Sequence, residues 1–112
     1  MDAIDLAGVT PTETGYEITP HLPMATFSLR DGDIGVASKP GLLRGYVTSL
    51  ASGRLAMQVA KPPRTTRRDR LQAYAGGRPV RSRLVHGLVS FELPATAGRP
   101  ANWAVAASKT KR

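Results

Sequence analysis

Between residues 71 and 105, hydrophobic and polar positions alternate along the chain, and glycine-containing turns interrupt the alternation. The stretch reads as three short strands separated by glycine turns. Ala75-Gly76-Gly77-Arg78 carries the Gly-Gly dipeptide that supplies positive φ at a tight hairpin, and His86-Gly87 marks a second turn. In the run that follows, Val89, Phe91 and Leu93 alternate with Ser90 and Glu92, a period of two that puts one face in a core and the other in water.

The same period recurs upstream. Tyr16 and Ile18 share a face in a first strand over residues 16–20, after the turn-rich Thr10-Pro11-Thr12-Glu13-Thr14-Gly15. Residues 24–30 place Ala25, Phe27 and Leu29 on one side and Thr26, Ser28 and Arg30 on the other. Asp31-Gly32-Asp33 reads as a turn into a return strand over 34–37, which ends near Lys39-Pro40-Gly41. Residues 42–47 and 54–60 read as a second hairpin, with Leu55, Met57 and Val59 as the inward set. A helix over 50–59 competes with that strand, but Gly53 would sit inside it and the alternation after Arg54 favours a strand. With Trp103-Ala104-Val105-Ala106 closing the set, the pattern predicts an all-β fold, an antiparallel β-sandwich of about eight short strands. The expected organisation is a lead-in over 1–14, one sandwich domain over 15–106 with a basic loop at 61–70, and a basic frayed tail over 107–112.

A chain of 112 residues can bury a core without disulfides, and with no cysteine it has neither thiolate metal sites nor a cysteine nucleophile. The first residues carry acidic side chains and no long apolar run, so neither a signal peptide nor a membrane span is expected; a soluble, cytoplasmic protein is favoured. Charge is the least even property. Residues 1–60 hold four Lys/Arg and six Asp/Glu, whereas residues 61–112 hold twelve and two, so all of the basic excess behind the net +8 lies in the second half. Its densest part, residues 61–70, reads as a solvated, flexible inter-strand loop, because Pro62 and Pro63 disfavour regular structure and like charges repel.

No reaction centre is legible. Asp31 and Asp33 read as turn residues, Glu17 and Glu92 as wet faces of strands, and no second acidic cluster completes a glycosidase pair. His21 and His86 lack a companion at metal-ligand spacing, no serine lies in a Gly-x-Ser-x-Gly elbow, and no phosphate loop is present. No catalytic, cofactor or metal residue is therefore assigned. Two binding sets stand out instead. Arg64, Arg67, Arg68, Arg70, Arg78, Arg81 and Arg83 are candidates for anion or nucleic-acid contact, lining one side of a sheet with Tyr74 as a stacking platform. Tyr74 and Trp103 are candidates for stacking on a sugar or base, against the plainer reading of a lone Trp as core.

Three segments, residues 15–23 (GYEITPHLP), residues 41–47 (GLLRGYV) and residues 71–105, together resemble the small β-sandwich that follows the helical barrel in bacterial six-hairpin glycosidases of the α-L-rhamnosidase and related kinds. The resemblance implies a non-catalytic accessory module whose partner is a glycosidase catalytic domain or a glycan, with no enzyme activity of its own, because that family's carboxylates lie in the barrel. A basic nucleic-acid-binding β protein is the alternative. The arginine-rich run over 64–70 departs from the family pattern, where a short hydrophobic connection is usual, and an exposed barrel-facing surface would favour self-association.

Overall fold

Alternating faces need a second layer to bury against, and here the second layer is another sheet. The computed structural model describes residues 8–19, 24–29, 32–49 and 51–109. Among them are eleven strands: β1 (Val9–Pro11), β2 (Gly15–Ile18), β3 (Met24–Leu29), β4 (Gly32–Lys39), β5 (Leu42–Ser49), β6 (Gly53–Val59), β7 (Asp69–Ala75), β8 (Arg78–Val80), β9 (Arg83–Val85), β10 (Leu88–Ala95) and β11 (Pro100–Lys109). They form a five-stranded sheet in the order β1-β2-β6-β10-β9 and a six-stranded sheet in the order β3-β4-β5-β11-β7-β8. The all-β sandwich class expected from the alternation is the class observed.

The core is the sum of the inward positions. From the five-stranded sheet come Val9, Ile18, Met57, Val59, Val89, Phe91 and Leu93; from the six-stranded sheet come Ile34, Val36, Leu43, Val47, Ala73, Trp103 and Val105. Trp103 is 2% exposed and meets Phe91 of the opposite sheet at 6.4 Å between ring centroids, tilted by 48°. The pair is a direct packing contact between the layers, and aromatic contacts of this kind contribute about 0.5–1.5 kcal/mol beyond area burial. Its room comes from Gly45, paired with Trp103 across β5 and β11: a Cβ there would stand 2.7 Å from Trp103 Cζ2 and collide with the Gly35 carbonyl oxygen.

Both glycine turns form as read. Gly76 and Gly77 (φ 59° and 81°) close the β7–β8 hairpin, and His86 and Gly87 (φ 52° and 80°) close β9–β10. Other expectations are corrected. Residues 71–105 hold five strands or parts of strands, because the chain leaves β8 at the edge of one sheet and enters β9 at the edge of the other. Residues 42–60 are not a hairpin: β5 pairs with β4 and β11, β6 with β10 and β2, so β5 and β6 belong to different sheets. Ser49 and Ser52 are fastened to the β10–β11 corner, where Gly98 N–H donates to Ser49 O at 2.8 Å and Ala97 N–H to Ser52 Oγ at 2.8 Å. Residues 53–59 are strand and not helix.

The sheets are antiparallel except for one pair. β2 runs parallel to β6, and a Cβ on Gly15 would strike the Ala56 backbone, so this close approach depends on glycine. The sandwich also begins earlier and ends later than 15–106. Val9, inside the expected lead-in, is fully buried opposite Ile18, and residues 107–109, inside the expected frayed tail, pair with Leu71, Arg70 and Asp69. Gly32 and Asp33 belong to β4, their pairing with Leu29 and Ser28 outweighing local turn preference, while Asp31 and His21 lie outside the described residues. The basic loop joins β6 to β7, but it is anchored rather than free: Pro62 is buried, Pro63 O accepts from Gly41 N–H at 2.9 Å, and Thr65 Oγ1 donates to Pro62 O at 2.6 Å.

Two outcomes follow from the Gly45–Trp103 packing. Gly45→Ala lowers unfolding free energy by about 1–3 kcal/mol in urea titrations, the usual cost of overpacking. Trp103→Ala costs about 3–5 kcal/mol, and Trp103→Phe substantially less, since the indole Nε1 has no hydrogen-bond partner to lose.

Candidate functional site

The outward positions make two different surfaces. On the six-stranded sheet, one cross-strand row runs Gly35, Tyr46, Asn102 and the next runs Ala37, Arg44, Ala104, Tyr74. The small residues leave a groove of about 520 Å³ lined by Tyr46 and Tyr74, with Arg44 and Asn102 as its polar groups. Gly35 permits it, because a Cβ at that position would run into the Tyr46 ring. Aromatic rings beside a few polar groups suit a ligand with an apolar face and hydroxyl edges.

On the five-stranded sheet, a cleft of about 680 Å³ opens between β6, β10 and the link from β8 to β9. Arg83 stands opposite Ser90 in the register, and alternation along β10 puts Ser90 and Glu92 on the outer face with it. Arg81 and Ser82 come from the link, and Arg54 enters from the start of β6. Arg54 Nη1 lies 3.7 Å from Glu92 Oε2, with side chains 77% and 66% exposed. Among the described residues, Glu92 is the one carboxylate lining the cleft, and its pairing with Arg54 leaves Arg81 and Arg83 without an acidic partner there.

The seven arginines named from the sequence do not line one side of a sheet with Tyr74. Arg64, Arg67 and Arg68 lie in the β6–β7 loop, where Arg64 adopts φ 61°. Arg70 shares the outer face of β7 with Tyr74 by two-residue periodicity, Arg78 stands on the alternate face opposite Ala75, and Arg81 and Arg83 belong to the cleft of the other sheet. The cause is the crossing between β8 and β9, which carries consecutive arginines from one layer to the next. Trp103 is likewise corrected as a stacking platform: its ring is in the core, committed to Gly45 and Phe91. Tyr74 does line the groove, and its companion there, Tyr46, was missed. The signal was present, since Leu43, Gly45 and Val47 facing inward puts Arg44 and Tyr46 outward. Arg54 was missed too, although the inward set Leu55, Met57 and Val59 puts it on the outer face.

Among the described residues no three His, Asp or Glu side chains gather as a metal site, and no helix is long and apolar enough to cross a membrane.

Comparison with known proteins places the fold. No protein-family model matches the chain, and no curated protein matches it. Solved structures do. A GH127 β-arabinofuranosidase superposes over 90% of this chain at 14% identity and a TM-score of 0.59, and the chain covers 19% of that enzyme. The GH127 β-L-arabinofuranosidase of Geobacillus stearothermophilus T6 superposes over 90% at 11% identity and a TM-score of 0.59, with 16% of that enzyme covered. The chain has the fold of a β-sandwich unit found within glycoside hydrolases. These neighbours are arabinofuranosidases and not of the α-L-rhamnosidase kind named from the sequence, and at 11–14% identity the likeness is one of fold. The chain spans less than a fifth of either neighbour's length.

Because both partners of the Arg54–Glu92 pair are largely in water, Arg54→Ala changes unfolding free energy by less than about 1 kcal/mol. Thermal denaturation at low and high salt checks this, and the small difference from the parent chain shrinks further as salt rises.

Proposed function

We propose that this chain is a non-catalytic β-sandwich module of glycosidase-like architecture, an accessory unit that engages carbohydrate or a glycosidase catalytic domain and performs no hydrolysis itself. The observation that carries the reading is the match of 90% of this chain to a unit amounting to 16–19% of two GH127 enzymes. A unit of that proportion supports a supporting role beside a larger catalytic body. Fold likeness alone is a weak warrant for function, so the outer surfaces matter as much.

The groove between Tyr46 and Tyr74 fits the role. Pyranose and furanose rings present C–H faces that pack on aromatic rings, and Arg44 and Asn102 supply hydrogen bonds to ring hydroxyls. Among the described acidic residues, two stand on the outer face of one sheet. Glu92 is on the outer face of the five-stranded sheet in contact with Arg54, and Glu17 lies on the outer face of the same sheet, level with Gln58 and Ser90. A glycosidase needs two carboxyls flanking one bond in a cleft.

The test is turnover of aryl β-L-arabinofuranosides and aryl α-L-rhamnosides by the purified chain. No turnover above the uncatalysed rate is expected; hydrolysis abolished by a single substitution such as Glu92→Gln would overturn the reading. In parallel, titration with neutral arabino-oligosaccharides followed by intrinsic fluorescence is expected to show weak, salt-insensitive binding that Tyr46→Ala or Tyr74→Ala reduces by about fivefold or more.

A further inference from the structure

The cleft on the five-stranded sheet is bordered by three arginines, and the glycosidase-like reading does not use it. Its floor is the outer face of β6 and β10, at Ala56 and Ser90, and the β8–β9 link forms one wall. At about 680 Å³ it falls within the roughly 300–1,000 Å³ typical of small-ligand sites. Three guanidinium groups, of Arg54, Arg81 and Arg83, border it against one carboxylate, Glu92, and that carboxylate contacts Arg54. Arg81 and Arg83 therefore present a net positive charge to whatever enters. Ser82 and Ser90 add hydroxyls, which donate to and accept from sugar hydroxyls alike.

We propose that this cleft binds an acidic glycan, with the carboxylate of a uronic acid residue held by Arg81 and Arg83 and neighbouring hydroxyls met by Ser82 and Ser90. The proposal rests on the glycosidase-like reading for the sugar and on the cleft itself for the charge. A guanidinium offers paired N–H donors in a plane, the geometry a carboxylate accepts. Glu92 contributes selectivity: it is close enough to Arg54 to neutralise it, so the cleft favours one anionic group at the Arg81–Arg83 end over a continuous track of phosphates. Nucleic acid is the weaker fit for a second reason. Phe91, the aromatic residue that lines the cleft, is 4% exposed with its ring against Trp103 in the core, so it offers little face for a base to stack on, and Tyr74 belongs to the outer face of the other sheet.

Calorimetric titration of the whole chain with tetragalacturonate, with its methyl ester and with a mixed-sequence single strand of DNA, each at 50 and 150 mM salt, tests the assignment. Saturable tetragalacturonate binding is expected, weakened about tenfold or more by Arg81→Ala or Arg83→Ala. The methyl ester, which keeps the sugar and removes the charge, is expected to lose the same factor. Arg67→Ala with Arg68→Ala in the β6–β7 loop should change affinity less than twofold. Arg83→Lys, keeping the charge without the planar fork, should fall between parent and alanine variant.

Three results would each overturn the proposal: no saturable binding of tetragalacturonate at 50 mM salt, binding indifferent to both cleft variants, or DNA bound more tightly than tetragalacturonate through the same two arginines. None of them touches the module reading, which stands or falls on turnover and on the tyrosine groove.

Discussion

The sandwich depends on one piece of close packing, the indole of Trp103 seated where Gly45 has no side chain and touching Phe91 across the interface. With two phenylalanines and one tryptophan in 112 residues, the chain has few large groups to fill the space between layers. The rest of the core is built from valine, leucine, isoleucine, methionine and alanine. Such side chains are small, so the aromatic pair supplies the largest single contact between the layers. β5 and β11 must then be neighbours in register, because only that pairing sets Gly45 opposite Trp103.

Glycine does related work on the outer face. Gly35 sits beside Tyr46 as Gly45 sits beside Trp103, one clearing room outside the sheet and the other inside it. The two lie on adjacent strands, β4 and β5, and a Cβ on Gly45 would also meet the Gly35 carbonyl. The groove bearing Tyr46 and the core bearing Trp103 are thus two sides of one thin patch of sheet. The arginine cleft is independent of that patch, being made where the chain passes from β8 to β9 on the other layer. The two outer faces can accordingly carry different chemistry, one a groove between two tyrosines, the other a cleft bordered by three arginines.

Much of this was legible residue by residue. The alternation of Val89, Phe91 and Leu93 with Ser90 and Glu92 fixes which face of β10 is buried, and the structure buries those three. The Gly76-Gly77 and His86-Gly87 turns were legible because positive φ is a property of two residues and needs no partner. β1 was hidden because three residues, Val9–Pro11, are too few to show a period. The grouping of arginines failed for a different reason: spacing along the chain reports a shared face only while the chain stays in one sheet, and between Arg78 and Arg83 it does not.

The sequence by itself determined the local conformations and the two-faced character of each strand, since these follow from side-chain alternation and from backbone freedom at single residues. It thereby determined an all-β sandwich. Tertiary structure alone decided which strands are neighbours: that β5 joins β11 and not β6, that β2 lies parallel to β6, and that Tyr46 and Tyr74 line one groove while Arg54, Arg81 and Arg83 border one cleft. Any two half-buried strands have backbones able to pair, so the choice among partners is made by how the inward side chains fill the common core, a property of the whole set of strands rather than of any one of them.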